Sequence, residues 1–200
     1  MNEKIIRWRW WLGYAALGVA SGCAYPGPAP DALQAYGAAL AETDPQAVRP
    51  VEPGSEAEAR GLAQFIELFS EFDPEKMTGG LSQLYAEESY FRDTFVELHT
   101  AQAIEQYFVD SARAVDHCSF DIQDVAVADG NYYLRWTMDL RLKRHQHKPI
   151  QTSVGMSHLR FNEEGRIIFH QDYWDAGLLY EQFPVMGSLI RYARRRLESP

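Results

Sequence analysis

Four side chains in the C-terminal third, His158, His170, Asp172 and Trp174, are of the types that hold a small molecule and move a proton on it. A carboxylate beside an imidazole stores or passes a proton near neutral pH, and an indole offers apolar surface next to it. They lie within residues 155–175, on either side of Asn162-Glu163-Glu164-Gly165. The pattern predicts two strands joined by a tight turn, with Gly165 supplying the positive φ that such a loop needs. Side chains alternate across a strand, so His170, Asp172 and Trp174 share one face. A three-residue loop with a glycine bulge sets His158 across from His170 on that same face. A solvated sheet face with a satisfied ion pair fits the same residues. The chemical reading therefore requires that the groups look into one shared hollow.

The elements that must position them follow from periodicity. Ser55 and Glu58 form a capping-box pattern ahead of Leu62, Phe65, Ile66, Phe69 and Phe72, which recur at helical spacing. Asp73-Pro74 ends that helix. A short helix is expected over residues 81–88, with Leu84 and Tyr85 inward, and a short strand over residues 90–95. Thr100 caps a third helix, Ala101–Ala114, with Ile104, Tyr107, Phe108 and Ala112 on one side. From His117 the pattern changes to strands. Asp129-Gly130-Asn131 is a hairpin turn. After it Leu134, Trp136, Met138, Leu140 and Leu142 alternate with Arg135, Thr137, Asp139, Arg141 and Lys143, giving one buried and one wet face. Trp136, Met138, Met156 and Trp174 are candidates for the wall of an apolar cavity, or for plain core. A last helix runs from Val185 to Leu197. Arg191, Arg194, Arg195 and Arg196 crowd its end, either offsetting the helix dipole or meeting anionic lipid.

Composition bounds the rest. The chain has 200 residues, 46% hydrophobic and 13% aromatic, enough for one cored domain plus a tail. A formal net charge of -9 argues against a nucleic-acid partner. Cys23 and Cys118 are the only cysteines, so no disulfide framework and no structural zinc site are expected. His145 and His147 read as part of a solvated loop, and no metal is expected. No phosphate-cradling glycine loop or nucleophile elbow is present, so no cofactor is expected either.

Residues 1–23 read as a targeting segment. Lys4, Arg7 and Arg9 precede an apolar run from Trp10 to Ala20, of signal-peptide length and short for a membrane span. The end, Val19-Ala20-Ser21-Gly22-Cys23, resembles a bacterial lipoprotein processing site, with Ala20 where Leu is usual. The resemblance implies lipidation of Cys23 and attachment to the cell envelope. Ala24, not Asp, favours the outer membrane. A misassigned start codon leaves a cytoplasmic protein instead. Residues 24–56 hold six of the ten prolines and read as a Pro/Ala-rich linker, with at most a brief helix near residues 31–42. The domain proper is expected over residues 57–197.

Three helices, a small strand and then a long antiparallel sheet resemble the nuclear transport factor 2-like, or SnoaL-like, superfamily. Two segments carry the resemblance. Leu84-Tyr85-Ala86-Glu87-Glu88 with Phe91-Arg92-Asp93 is similar to the superfamily's early run. Glu164-Gly165-Arg166-Ile167 with Asp172-Tyr173-Trp174-Asp175 is similar to the ending of its limonene epoxide hydrolases. The resemblance implies an α+β cone: helices packed on a curved antiparallel sheet, with a pocket between them and a C-terminal helix. It also implies a dimer through the sheet's outer face. Asp172 matches a catalytic carboxylate of the epoxide hydrolases. Gln171 and Thr137 stand where their arginines belong, and Asp139 falls on the polar face. Asp93 matches the proton-transfer base of ketosteroid isomerases, with Thr94 where Pro is usual. Tyr85 and Tyr107 supply hydroxyls of the right type for oxyanion donors.

Two functions remain open. One is an envelope-tethered domain that binds an apolar or lipid-like molecule. The other is a cofactor-free acid/base enzyme, an isomerase, cyclase or epoxide-hydrolase-like protein, using Asp93, His158, His170 and Asp172. The enzyme predicts those four groups in one closed cavity with perturbed pKa values; the binding domain predicts a pocket that stays apolar, with these groups paired off at its rim.

Overall fold

A computed structural model of the protein describes residues 31–198. Cys23 and the apolar run before it lie outside these residues. Helix α1 (Ala32–Glu42) leads into α2 (Glu56–Ser70), the single turns α3 (Pro74–Met77) and α4 (Leu81–Leu84), and strands β1 (Tyr85–Arg92) and β2 (Glu97–Thr100). Helix α5 (Ala101–Ala114) follows. Then come the long strands β3 (Val115–Ala128), β4 (Asn131–Leu142), β5 (Gln151–Phe161) and β6 (Ile167–Trp174), and helices α6 (Gly177–Tyr180) and α7 (Pro184–Glu198).

The caps sit where the sequence puts them. Ser55 Oγ accepts from the Glu58 N–H at 3.2 Å, and Thr100 Oγ1 accepts from the Ala103 N–H at 3.2 Å. The apolar stripes of α2 and α5 then close one face of the sheet. Phe65, Phe69, Ile104 and Phe108 join Leu84, Tyr85, Phe91, Leu134 and Leu159 in one buried cluster.

The six strands form one sheet in the order β2-β1-β6-β5-β4-β3. Strand β1 runs parallel to β6, so the sheet is mixed and not wholly antiparallel. The short helix expected over residues 81–88 stops at Leu84. From Tyr85 the chain is already strand, because both its edges are used by β2 and β6.

Two further expectations are corrected. Residues 32–51 are not a free tether. Tyr36, Ala39 and Leu40 of α1 pack on Tyr90 and Phe169 on the sheet face away from α2. Arg160 Nη1 donates to the Leu40 carbonyl at 2.6 Å and to Thr43 Oγ1 at 3.0 Å. Val51 is 2% exposed, and its N–H donates to the Phe161 carbonyl. Alanine-rich turns suffice here because the partner surface is aromatic, with Tyr90 and Phe169 stacked on each other.

The second correction concerns His158. Near the turn the register is the expected one, with Phe161 opposite Ile167. Strand β6 then carries one extra residue, Ile168, so Arg160 meets Phe169 and His158 meets Gln171. A one-residue shift turns every later side chain of one strand to the other face of its partner. His158 is thereby parted from His170.

Candidate active site

Between the sheet, α5 and α6 lies a cavity of about 590 Å³. Its walls are almost wholly apolar: Phe72 from the link between α2 and α3, Phe108 from α5, Trp136, Met138 and Leu140 from β4, and Trp174 from β6. The alternation of β4 explains the wall. Every second residue from Leu134 to Leu142 faces the helices, and Trp136 stands over Gly155 of β5. A Cβ at Gly155 would lie 2.2 Å from the Trp136 ring, so only glycine leaves room for the indole.

One oriented carboxylate enters this wall. Asp172 lines the cavity, and its Oδ1 accepts two hydrogen bonds, from His170 Nε2 at 2.8 Å and from Ser157 Oγ at 2.5 Å. With Nε2 donating, His170 Nδ1 is an acceptor, and it takes the Tyr85 hydroxyl at 2.5 Å. Ser157 Oγ in turn accepts from Trp136 Nε1 at 3.0 Å. Tyr85, His170, Asp172, Ser157 and Trp136 therefore form one continuous chain of bonds. Asp172 Oδ2 makes no hydrogen bond among the described residues. One oxygen is held from behind and the other is left for whatever enters.

His170 is fully buried and meets the rings of Phe65, Phe69 and Phe91 edge-on. Tyr85 is equally buried, and burial, with Asp172 nearby, pushes its hydroxyl well above the ordinary tyrosine range. Neither group is part of the cavity surface; both act on Asp172 from the core.

Asp93 also lines the cavity, but both of its oxygens are engaged. Oδ1 caps the β1–β2 turn by accepting from the N–H groups of Phe95 and Val96, at 2.7 and 2.9 Å. Oδ2 accepts the Tyr107 hydroxyl at 2.5 Å. Burial raises the Asp93 carboxyl above the usual range. The three hydrogen bonds offset part of that rise, and the charge of Asp172 adds to it.

The remaining expectations sort by face. Tyr107, Trp136, Met138 and Trp174 line the cavity. Met156 does not: it pairs with Arg135 and Tyr173 on the outer face. His158 is also outside, stacked on Tyr133 with its ring 4.6 Å away and bonded through Nε2 to Asn131 Oδ1 at 2.8 Å. Burial, the Arg160 charge and His170 lower its pKa to about 4. Sequence reasoning missed Ser157, whose signal was parity with Gly155 across from Asp172. It also missed Phe95, Lys143, Arg144 and Phe183, which border the cavity. Arg144 lies 4.4 Å over the Phe183 ring. Among the described residues no group of three or more His, Cys, Asp or Glu is arranged to hold a metal ion.

A family model described as a SnoaL-like domain matches residues 62–170. The chain belongs to the SnoaL-like family. Solved structures agree on the fold. A protein designated a SnoaL-like polyketide cyclase from Shewanella denitrificans OS-217 is 20% identical, with a TM-score of 0.52 over 64% of this chain and 97% of that one. An epoxide hydrolase of the limonene epoxide hydrolase-like type from M. tuberculosis is 12% identical, with a TM-score of 0.50 over 62% of this chain and 86% of its own. A nuclear transport factor 2-like protein of unknown function from Exiguobacterium sp. 255-15 is 19% identical, with a TM-score of 0.50 over 57% of this chain and 98% of its own. No curated protein matches the chain. At these identities the solved structures establish the SnoaL-like fold alone. The family match ends at His170, two residues before Asp172.

Proposed function

We propose that this SnoaL-like domain binds an apolar small molecule and uses Asp172 as a proton acceptor on it, without a cofactor. The observation that carries this reading is an apolar cavity of about 590 Å³ containing a carboxylate with one oxygen fixed and one free. Removal of water around such a group strengthens its attraction for an acidic C–H or O–H of a bound molecule. Tyr85, His170 and Ser157 hold the carboxylate in one rotamer, so little reorganisation is needed when the proton moves. The cyclase and epoxide hydrolase designations of structural neighbours are compatible with acid/base work in such a cavity. We further propose that Cys23 is lipidated and tethers the domain at the bacterial envelope.

A second reading, retention of the ligand without chemistry, is favoured by how the other polar groups are paired: His158 lies on the outer face and both Asp93 oxygens are engaged. The Tyr107 hydroxyl that would answer Asp172 as a donor is bonded to Asp93. The two separate in one experiment. The full chain is purified from its native cells, its bound small molecules are extracted, and the purified compound is returned to wild type and to Asp172→Asn in D2O. Wild type should change the compound or exchange deuterium into it, while Asp172→Asn binds it unchanged. Binding by both with no exchange supports retention alone. If nothing apolar co-purifies, the cavity reading fails. Globomycin treatment tests the tether: lipidation of Cys23 requires that the unprocessed precursor accumulates.

A further inference from the structure

Helix α7 is built with its apolar residues outward. Val185, Leu189 and Tyr192 recur at i, i+4 and i+7 and are 82%, 68% and 52% exposed. Met186, Ile190, Ala193 and Leu197 form the adjoining row, and Leu197 is 88% exposed. The side toward the body is marked by Gly187, where a Cβ would lie 2.2 Å from the Glu181 carbonyl, and by the ion pair of Arg194 with Glu181 at 2.6 Å. A helix that only covers a core turns its apolar face inward; this one does the reverse.

The charges select what covers it. Residues 184–198 contain four arginines and one acidic residue, Glu198, in a chain whose net charge is -9. Arg194 is paired to the body, Arg195 borders the apolar rows, Arg196 ends the first of them one turn past Tyr192 with Nε donating to the Tyr192 hydroxyl, and Arg191, one turn past Gly187, is exposed. A second copy would bring the same arginines, so self-pairing lacks the opposite charge. A helix with apolar rows and a basic border suits an anionic lipid surface. No helix among the described residues is long and apolar enough to cross a membrane, so α7 would lie in the interface. The cavity wall runs straight into it, because Phe183 precedes Pro184, the first residue of α7. Lys143 and Arg144, also on the cavity's border, have no carboxylate partner among the described residues. We propose that α7 docks on an anionic lipid surface through Val185, Leu189 and Tyr192, with the border of the cavity facing the bilayer.

The test must report on α7 locally, because the apolar run before Cys23 could bind vesicles by itself. The full chain carrying Cys23→Ser, Cys118→Ser and Leu189→Cys is labelled with an environment-sensitive dye. A control carries Glu164→Cys, at the exposed β5–β6 turn, in place of Leu189→Cys. Vesicles are phosphatidylcholine alone or phosphatidylcholine with phosphatidylglycerol, each with and without a nitroxide-labelled lipid. The proposal requires a blue shift and nitroxide quenching at position 189 only with phosphatidylglycerol, and neither at position 164. Neutralising Arg191, Arg195 and Arg196 to Gln should weaken that partition about a hundredfold, from the contribution of each basic residue near a charged surface. An unchanged spectrum at position 189 on the anionic vesicles overturns the proposal. So does a shift present without vesicles and lost on dilution, which means that a second copy covers the helix. Equal signals on both vesicle types would also overturn the selection for anionic lipid.

Discussion

At the scale of single residues, the site depends on what Asp172 leans on. The Tyr85 hydroxyl is the only donor seen on His170 Nδ1 among the described residues. Tyr85→Phe should leave a buried ring nitrogen unsatisfied and lower stability by about 1–3 kcal/mol, read by denaturant unfolding. Gly155→Ala places a methyl inside the Trp136 ring. It should cost about 1–3 kcal/mol by overpacking and shift the indole fluorescence, since the cavity wall must move. His158 gives a pH prediction with a definite sign. Its native pKa is lowered to about 4 from 6.5 because burial, Arg160 and His170 disfavour its cation. The unfolded chain therefore binds the extra proton first. The stability owed to neutral His158 is complete above about pH 6.5 and declines as pH falls toward 4. His158→Gln should flatten that decline, removing about 1–3 kcal/mol of the acid loss, as measured by urea midpoints across the range. An acid limb left unchanged by His158→Gln would contradict the lowered pKa.

At the scale of elements, α1 is the segment whose attachment is most open to test. Its hold on the sheet rests on Tyr36, Ala39 and Leu40 and on the two bonds from Arg160 Nη1. Arg160→Met keeps much of the stem and removes the donors. Amide exchange over Ala32–Glu42 should then quicken ahead of the rest of the chain, with little change in α2 or β4. The same helix shows where sequence reading stops. The amphipathic stripes of α2, α5 and β4 were legible because their periods are long and regular. The caps at Ser55 and Thr100 were legible because a side-chain oxygen before a helix has few other uses. Residues 24–56 read as a linker because alanine and proline carry little apolar signal of their own. Nothing local announces that Phe169 and Tyr90 await them. The extra residue at Ile168 is equally silent: Gly-Arg-Ile-Ile-Phe-His alternates no better with a bulge than without one. That single residue decided the faces of His158 and Met156. The strand pattern did place His170, Asp172 and Trp174 together, but their link to Tyr85 required knowing that β1 lies beside β6.

At the scale of the whole molecule, two layers do different work. The layer of α2 and α5 on the sheet buries His170 and Tyr85 and so fixes Asp172, while α5, α6 and the far half of β4 leave the apolar hollow open beside it. The methionines report on both sides of this division, Met138 from the cavity wall and Met156 from the outer face. The most direct test is therefore methyl NMR of the full chain labelled at its methionines, titrated with the neutral apolar dye N-phenyl-1-naphthylamine. The Met138 methyl should shift and show cross-relaxation to the dye rings, while Met156 stays in place. A dye that moves Met156 and leaves Met138 untouched would mean that no ligand enters beside Asp172.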